Sequence, residues 1–257
     1  MLARQRQVTI LEMVKRDGGV RVSSLVRELA VSDMTIRRDL ETLAERGLIA
    51  KVHGGATAVE SPATDEPGYA AKSARQLAEK EAIARRAAEL VHPGAAVALS
   101  AGTTTAALAR HLTEIPDLTV VTNSIPAADV LHRSGRTDHT VILTGGTRTP
   151  SDALVGPVAI ATITSLHTDL LFLGVHGMDE RAGLTTPNLM EAETNRALIN
   201  AARRLVLLAD HTKWQTIGIS TIVPLDRADI VVSDEGLPTE ARDVLDAHVG
   251  ELLLAEL

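Results

Sequence analysis

Beyond residue 90 the chain repeats one pattern: a short apolar run, a polar or glycine-rich turn, then a stretch with helical periodicity. The runs are AAVALSA (95–101), LTVVTNS (118–124), HTVILTGG (139–146), LLFLGVHG (170–177), RRLVLLAD (203–210) and DIVVSD (229–234). Runs this short and this apolar read as strands buried on both faces. Helical patterns lie near 76–91, 103–113, 125–134, 153–166, 188–202 and 238–248, and the closing ELLLAEL reads as a further edge strand. Such alternation restricts this part to the α/β class, a mostly parallel, Rossmann-like sheet with helices on both faces. Ligands in such sheets bind off the carboxyl ends of the strands.

Composition narrows the chemistry. Trp214, Tyr69 and Phe172 are the only aromatic residues of 257, so the core is aliphatic and base stacking on aromatic platforms is excluded. No cysteine is present, which removes disulfides, thiolate chemistry and cysteine-held zinc. The nine histidines show no H-x-x-x-H spacing, so neither metal nor cofactor is expected. No apolar run approaches the roughly 20 residues that cross a bilayer. The start, MLARQRQVTILEMVKRDGG, reads as an amphipathic helix rather than a signal peptide. A soluble, cytoplasmic protein without a membrane partner is expected.

Net charge is −7 but unevenly spread: residues 1–60 carry ten Lys and Arg against eight Asp and Glu, and the remainder is acidic. A mildly basic head on an acidic body fits DNA binding by the head alone.

Three helical patterns crowd into that head. Ile10, Leu11 and Val14 mark the first, from about Arg4 to Arg16, closed by Gly18-Gly19. Val20-Arg21-Val22 is extended. Ser23 is a candidate cap for a second helix with Leu25, Val26 and Leu29 on one face. Ser32 is a candidate cap for a third, VSDMTIRRDL onward, with Ile36, Leu40 and Leu43 inward and Gly47 after its end. Two short helices joined by a tight turn make a helix-turn-helix. Met34, Thr35, Arg37, Arg38 and Thr42 are left on outer faces, with Asp39 and Glu41 nearby limiting the area open to phosphates. Leu48 to His53, a Gly54-Gly55 turn and Ala56 to Val59 then predict a β-hairpin, the wing, with Lys51 and His53 placed to touch DNA backbone. From these residues alone, Arg37 and Arg38 read as groove contacts or as a solvated pair, and His53 as a contact or a turn residue.

Taken together, VSDMTIRRDLETLAERGLIAKVHGGA resembles the N-terminal signature of the DeoR family of bacterial transcription regulators, over most of residues 4–57. The resemblance implies a winged helix-turn-helix over residues 1–57, contacting a double-stranded operator through Ser32, Met34, Thr35, Arg37, Arg38, Lys51 and His53.

ESPATDEPGYAAKSARQ lacks apolar periodicity and reads as a hinge, giving a linker over 58–75 and a second domain over 76–257. Polar loops follow its strands: Ser100 to Thr105, Thr122 to Ser124, Gly145 to Thr147, Gly177 to Asp179, and Asp210 to Lys213. Singly, such loops cap helices and make turns. At one sheet edge, with a lysine and a glycine-led helix start, they suit an anion. GTTT, TNS, GG, GLTTPN and ADHTKW are similar to the family's C-terminal sensor domain, which shares its fold with ribose-5-phosphate isomerase and CoA transferases. The resemblance implies a phosphorylated sugar or related effector: Gly102, Thr103, Thr104 and Thr105 would take the phosphate. Thr122, Asn123, Gly145 and Gly146 would line the sugar, Lys213 would supply positive charge, and Asp179 would meet a hydroxyl.

An isomerase-like enzyme with a DNA-binding head is the alternative. Enediol chemistry needs a carboxylate base and a lysine in a glycine-rich loop. AGLTTPNLMEAETNRA carries Glu191 and Glu193 but no lysine, and acids there also suit a helix's first turn. Ser100 lies in no G-x-S-x-G elbow. His176 either tunes ligand choice or fills space. The expectation is therefore a non-enzymatic switch, a homo-oligomer on repeated half-sites, most family members resembling repressors, with the sign of control open.

Overall fold

In the computed structural model, residues 3–257 are described except Gly18, Gly47, His53, residues 59–62 and Pro67, together with the side chains at 12, 15–17 and 58. The chain forms two units, divided between Ser61 and Pro62.

In the first unit, helices α1 (Ala3–Asp17), α2 (Val22–Leu29) and α3 (Asp33–Glu45) join strands β1 (Gly19–Arg21), β2 (Ile49–Val52) and β3 (Gly55–Ala58). The strands form an antiparallel sheet in the order β1-β3-β2, the wing. The inward residues predicted from helical spacing, among them Ile10, Val14, Leu25, Ile36, Leu40 and Leu43, make one apolar cluster with Ile49. Ser32 caps α3 as expected, its hydroxyl accepting from the Thr35 amide at 3.3 Å. Ser23 does not cap α2. The helix starts one residue earlier, where the Val22 amide donates to Gly54 O in the wing turn at 2.9 Å and the Val22 side chain is buried.

Asp39 also departs from expectation. Rather than facing outward on α3, it is buried and takes a hydrogen bond from Arg6 Nε at 2.5 Å and from Gln7 Nε2 at 3.1 Å. This buried ion pair fastens α3 to α1 and removes one carboxylate from the outer face.

The second unit opens with α4 (Tyr69–Ser73) and α5 (Leu77–Ala88). Next come β4 (Ala96–Leu99), α6 (Thr103–Leu112), β5 (Thr119–Thr122), α7 (Ile125–Arg133) and β6 (Thr140–Leu143). A short hairpin, β7 (Thr147–Arg148) and β8 (Leu154–Val155), leads to α8 (Pro157–Ile163) and β9 (Thr168–Gly174). Then follow β10 (Gly177–Asp179), β11 (Gly183–Thr186), α9 (Leu189–Ala201), β12 (Ala202–Leu208) and β13 (Ser220–Val223). Last are β14 (Ile230–Asp234), α10 (Thr239–His248) and β15 (Glu251–Ala255).

All six expected strands, with β15 at the edge, form one parallel sheet in the order β15-β14-β12-β9-β4-β5-β6. The chain winds outward from β4 to β6, returns to β9 and winds the other way. The direction of winding therefore switches between β4 and β9, the point at whose carboxyl ends open sheets of this kind form their ligand crevice. Alternate strand residues feed opposite faces. Val97, Leu99, Phe172 and Val206 meet Ile83, Leu108 and Leu131, while Leu171, Leu173, Leu207 and Val231 meet Ile163, Leu198 and Leu245.

Some features were not anticipated. A small antiparallel sheet, β10-β11-β13, follows β9. Gly177 begins it in a place no side chain fits, since a Cβ there would lie 1.8 Å from Thr216 O. The stretch expected as a hinge is folded onto this unit from Ala63 onward. Ala63 O accepts from the Ile219 amide at 2.9 Å, and the Tyr69 amide donates to Pro150 O at 3.0 Å. Polar bonds hold it and α4 buries no residue, so its apolar periodicity is absent.

Breaking a buried ion pair from one side leaves the other charge uncompensated. Asp39→Ala is expected to destabilise the first unit by roughly 3–5 kcal/mol. Urea denaturation followed by exchange of the α1 and α3 amides checks this, and unchanged protection would contradict it.

Candidate functional site

On α3 the apolar side is buried and the opposite side is polar, so the helix presents a ridge. Met34 at its start is 78% exposed. Ser32 and Thr35 share a hydroxyl–hydroxyl bond of 2.8 Å. Arg37 is paired with Asp33 one turn back, and Lys51 of the wing is bonded to Glu41 at 3.1 Å. Arg38 is exposed, and its side chain makes no hydrogen bond or ion pair among the described residues, while its carbonyl accepts from Thr42 Oγ1 at 3.0 Å. Exposed pairs such as Arg37–Asp33 exchange partners at little cost. Ser32, Met34, Thr35, Arg37 and Arg38 therefore share the helix's outer side, with Lys51 salt-bridged to it. His53 lies outside the described residues.

In the second unit the crevice between β4 and β9 is tied shut at its base. Buried Ser100 accepts from the Gly174 amide at 2.9 Å, linking the loops that leave the two strands. Gly102 precedes α6, which no side chain caps, so the amides of its first turn lack side-chain partners; Gly102 and Thr103 are half-buried, and Thr104 and Thr105 are buried. Thr105 turns its hydroxyl back onto Gly102 O at 3.0 Å.

Thr122 and Asn123 do not line the crevice as expected. Both are buried and engaged. Thr122 Oγ1 donates to Leu99 O at 2.8 Å and accepts from the Ser124 amide at 3.0 Å. Asn123 accepts from the Ala101 amide at 2.8 Å and donates to Leu154 O at 3.1 Å. They fix the loop bearing Gly102 rather than face a ligand. Gly145 and Gly146 both have positive φ, 69° and 118°, and a Cβ on Gly146 would fall 2.5 Å from Val155 O. Their first role is to turn the chain into the β7–β8 hairpin at the same sheet edge. Asp179 is not brought to the crevice. Its carboxylate accepts from the Arg181 and Ala182 amides at 2.9 Å each, closing the β10–β11 turn. It borders a separate groove with Trp214 and Glu240, so the tryptophan, although next to Lys213 in sequence, faces elsewhere.

Lys213 sits half-buried on a short turn after β12, held because Asp210 accepts from the Thr212 amide at 3.1 Å. Its charge reaches His176, Lys72 and Lys80. Burial, then the Lys213 and Lys72 charges, push the His176 imidazole down to about 4, so it is neutral at ordinary pH. Burial lowers the Lys72 and Lys80 ammonium groups and raises the Glu191 carboxyl, which accepts from Thr149 Oγ1 at 2.8 Å and Thr186 Oγ1 at 3.3 Å. Glu193 instead faces outward and pairs with Arg196 at 2.6 Å. Lys72, Lys80, Glu66, Thr149 and Ser151 were missed in the sequence. Lys80 lies within the helical pattern at 76–91 and the others in stretches without apolar period, and no local signal marks any of them. Among the described residues no group of three or more His, Asp or Glu is placed to hold a metal, and no helix is long and apolar enough to cross a membrane.

A winged helix-turn-helix joined to a parallel-sheet α/β unit defines the class of two-domain DNA-binding regulators of transcription. Comparison agrees. The DeoR-like helix-turn-helix domain matches residues 6–62 and the DeoR C terminal sensor domain matches residues 75–235. The chain belongs to the DeoR family of DNA-binding transcriptional regulators. It is 37% identical to the uncharacterized HTH-type transcriptional regulator YgbI of Escherichia coli, covering 100% of this chain and 99% of that protein. It is 35% identical to the glycerol-3-phosphate regulon repressor of the same organism, covering 95% and 96%. Ribose 5-phosphate isomerase A of Methanocaldococcus jannaschii superposes on 53% of this chain and 54% of its own at a TM-score of 0.40 and 17% identity, too distant a likeness to carry an argument.

Because the folded His176 midpoint lies below its ordinary 6.5, the unfolded chain takes up the proton first as pH falls, and stability is lost between 6.5 and about 4. NMR titration, assigned with His176→Asn, is expected to place the midpoint near 4. A midpoint at 6.5 would contradict its burial between two lysines.

Proposed function

We propose that this protein represses a carbohydrate-metabolism operon and that a phosphorylated sugar or related metabolite sets its affinity for the operator. The observation that carries the reading is the uncapped start of α6 at the β4–β9 switch point, with Lys213 acting on the adjoining His176 loop. Helix amides and an ammonium group together suit a phosphate dianion. In this reading the amides of Gly102, Thr103, Thr104 and Thr105 receive the phosphate and Lys213 balances its charge. Gly145 and Gly146 border the sugar, while Thr122 and Asn123 hold the loops. The repressor sign is supported by the name of the glycerol-3-phosphate regulon repressor and by that of a putative aga operon transcriptional repressor, 32% identical over 97% of this chain.

The DNA partner is a double-stranded operator entered by the start of α3. Arg38, Arg37 once released from Asp33, Thr35, Met34 and Ser32 face the groove, and Lys51 of the wing reaches backbone. Paired half-sites call for a homo-oligomer acting in the cytoplasm. Control is linkage: a ligand that favours one arrangement of the chain changes operator affinity by that preference alone.

Arg38→Ala is expected to weaken operator binding by roughly 1–3 kcal/mol if it reads a base, and evenly across sequences if it holds phosphate. Fluorescence anisotropy on operator and scrambled duplexes separates these. Unchanged affinity in both Arg38→Ala and Arg37→Ala would remove the helix from the interface. Lys213→Ala is expected to lose most of the response of operator binding to phosphorylated sugars, and a full response would displace the pocket. Glu191, desolvated and held by two threonine hydroxyls, is the one feature favouring an isomerase. We expect no turnover of ribose 5-phosphate by the purified protein, and steady turnover would overturn the switch reading.

A further inference from the structure

We propose that residues 63–66 and 68–76 form a strap over the sugar-phosphate pocket and that Lys72 on it contacts the ligand's anionic group, so the segment leading to the DNA-binding unit reads occupancy directly. The inference rests on the phosphate reading of the pocket and names a ligand contact outside the loops at the strand ends.

The strap is fastened by side chains. Lys72 Nζ donates to Ser151 Oγ at 2.8 Å, and Glu66 Oε1 lies 3.3 Å from the same oxygen. The other Glu66 oxygen accepts from Asn188 Nδ2 at 3.1 Å, while Asn188 Oδ1 caps α9. At the far end, buried Lys80 donates to the carbonyls of Lys72 and Arg75 at 2.6 and 2.5 Å, holding the end of α4. The strap thus spans from the β7–β8 turn and the start of α9 to α5. It begins two residues past the boundary between the units at Ser61 and Pro62.

Lys72 is the unsatisfied member. Its ammonium is half-buried, which lowers its pKa, and its hydrogen-bond partner is a neutral hydroxyl. It forms no ion pair among the described residues. The groups that act on it are Glu191, Lys213, Glu66 and Asp65. Glu191 and Glu66 are already engaged by hydroxyl and amide donors, and Lys213 repels it. A desolvated ammonium has three donors and needs a counter-charge. The strap's end reaches the turn that carries Lys213, Gln76 Nε2 lying 3.5 Å from His211 Nε2, and the Lys72 and Lys213 charges both act on His176 against the weaker pull of Asp65 and Glu66, which suits an anion. An arriving phosphate competes with Ser151 for Lys72, and the strap rearranges as the lysine changes partner.

The bland reading is that Lys72 merely fastens the strap to Ser151, and two variants separate the readings. The full chain is titrated by calorimetry with glycerol 3-phosphate, glucose 6-phosphate and inorganic phosphate, following exchange of the Tyr69 amide. Lys72→Met is expected to weaken the tightest of these at least about tenfold, the scale of one charge-assisted hydrogen bond. Ser151→Ala frees the lysine and is expected to bind as tightly as the parent or more so. Lys72→Arg, which keeps the charge, is expected to stay within a few-fold. Ligand is expected to alter Tyr69 exchange in the parent.

Equal weakening by Lys72→Met and Ser151→Ala, or undiminished binding by Lys72→Met, would overturn the proposal and leave the α6 site standing. If Lys72→Met does not fold, a tenfold loss in Ser151→Ala overturns it. If the parent binds none of the phosphates, the phosphate reading itself fails and the strap's role falls with it.

Discussion

Parallel pairing of seven strands sends every strand's carboxyl end to one edge, and the sensor unit depends on that constraint. Strands covered by helices on both faces must be apolar throughout, so polar chemistry is confined to the loops they lead into. Where the winding reverses, between β4 and β9, a helix starts with amides that no side chain caps. Ser100 and Asn123 hold this opening in shape through bonds to Gly174, Ala101 and Leu154. The crevice is a consequence of topology before it is a property of any residue in it.

Charge gives the crevice its direction. The chain carries −7 overall, yet two lysines, 72 from the strap and 80 from α5, both feel the charge of a third, 213 from the turn after β12. Carboxylates nearby are engaged by threonine, serine and asparagine donors rather than by these ammonium groups, leaving positive charge for an incoming anion. In the other unit the same economy appears in reverse. Asp39 is withdrawn into a buried pair with Arg6, so the outer side of α3 keeps Arg38 free and Arg37 lightly held.

Legibility in the sequence followed the source of the stabilising energy. Elements made by apolar burial were readable: the strands from AAVALSA to DIVVSD, the inner faces of the first three helices, and ELLLAEL at the sheet edge. Elements made by polar bonds were not. The strap from Ala63 to Gln76 has no apolar period, and the β10-β11-β13 sheet rests on buried threonines and close backbone approach at Gly177. Among site residues, the glycine-led start of α6 was visible because helix starts have a local signature. Thr122, Asn123 and Asp179 had the right residue types in the right kind of loop. Asp179 is taken up locally by the amides of its own turn, while for Thr122 and Asn123 partners distant in sequence, Leu99, Ala101 and Leu154, show that their polar atoms are committed to the framework. Asp39 was misplaced for the same reason, its partner lying 33 residues away.

Reciprocity tests whether the ligand site and the winged helix share one free-energy balance. Calorimetry would measure the tightest-binding phosphorylated sugar against the free protein and against its operator complex, with operator affinity measured with and without the sugar. Coupling requires the two changes to be the same factor, on the order of 5–150-fold. A phosphosugar that binds while leaving operator affinity untouched would contradict the account.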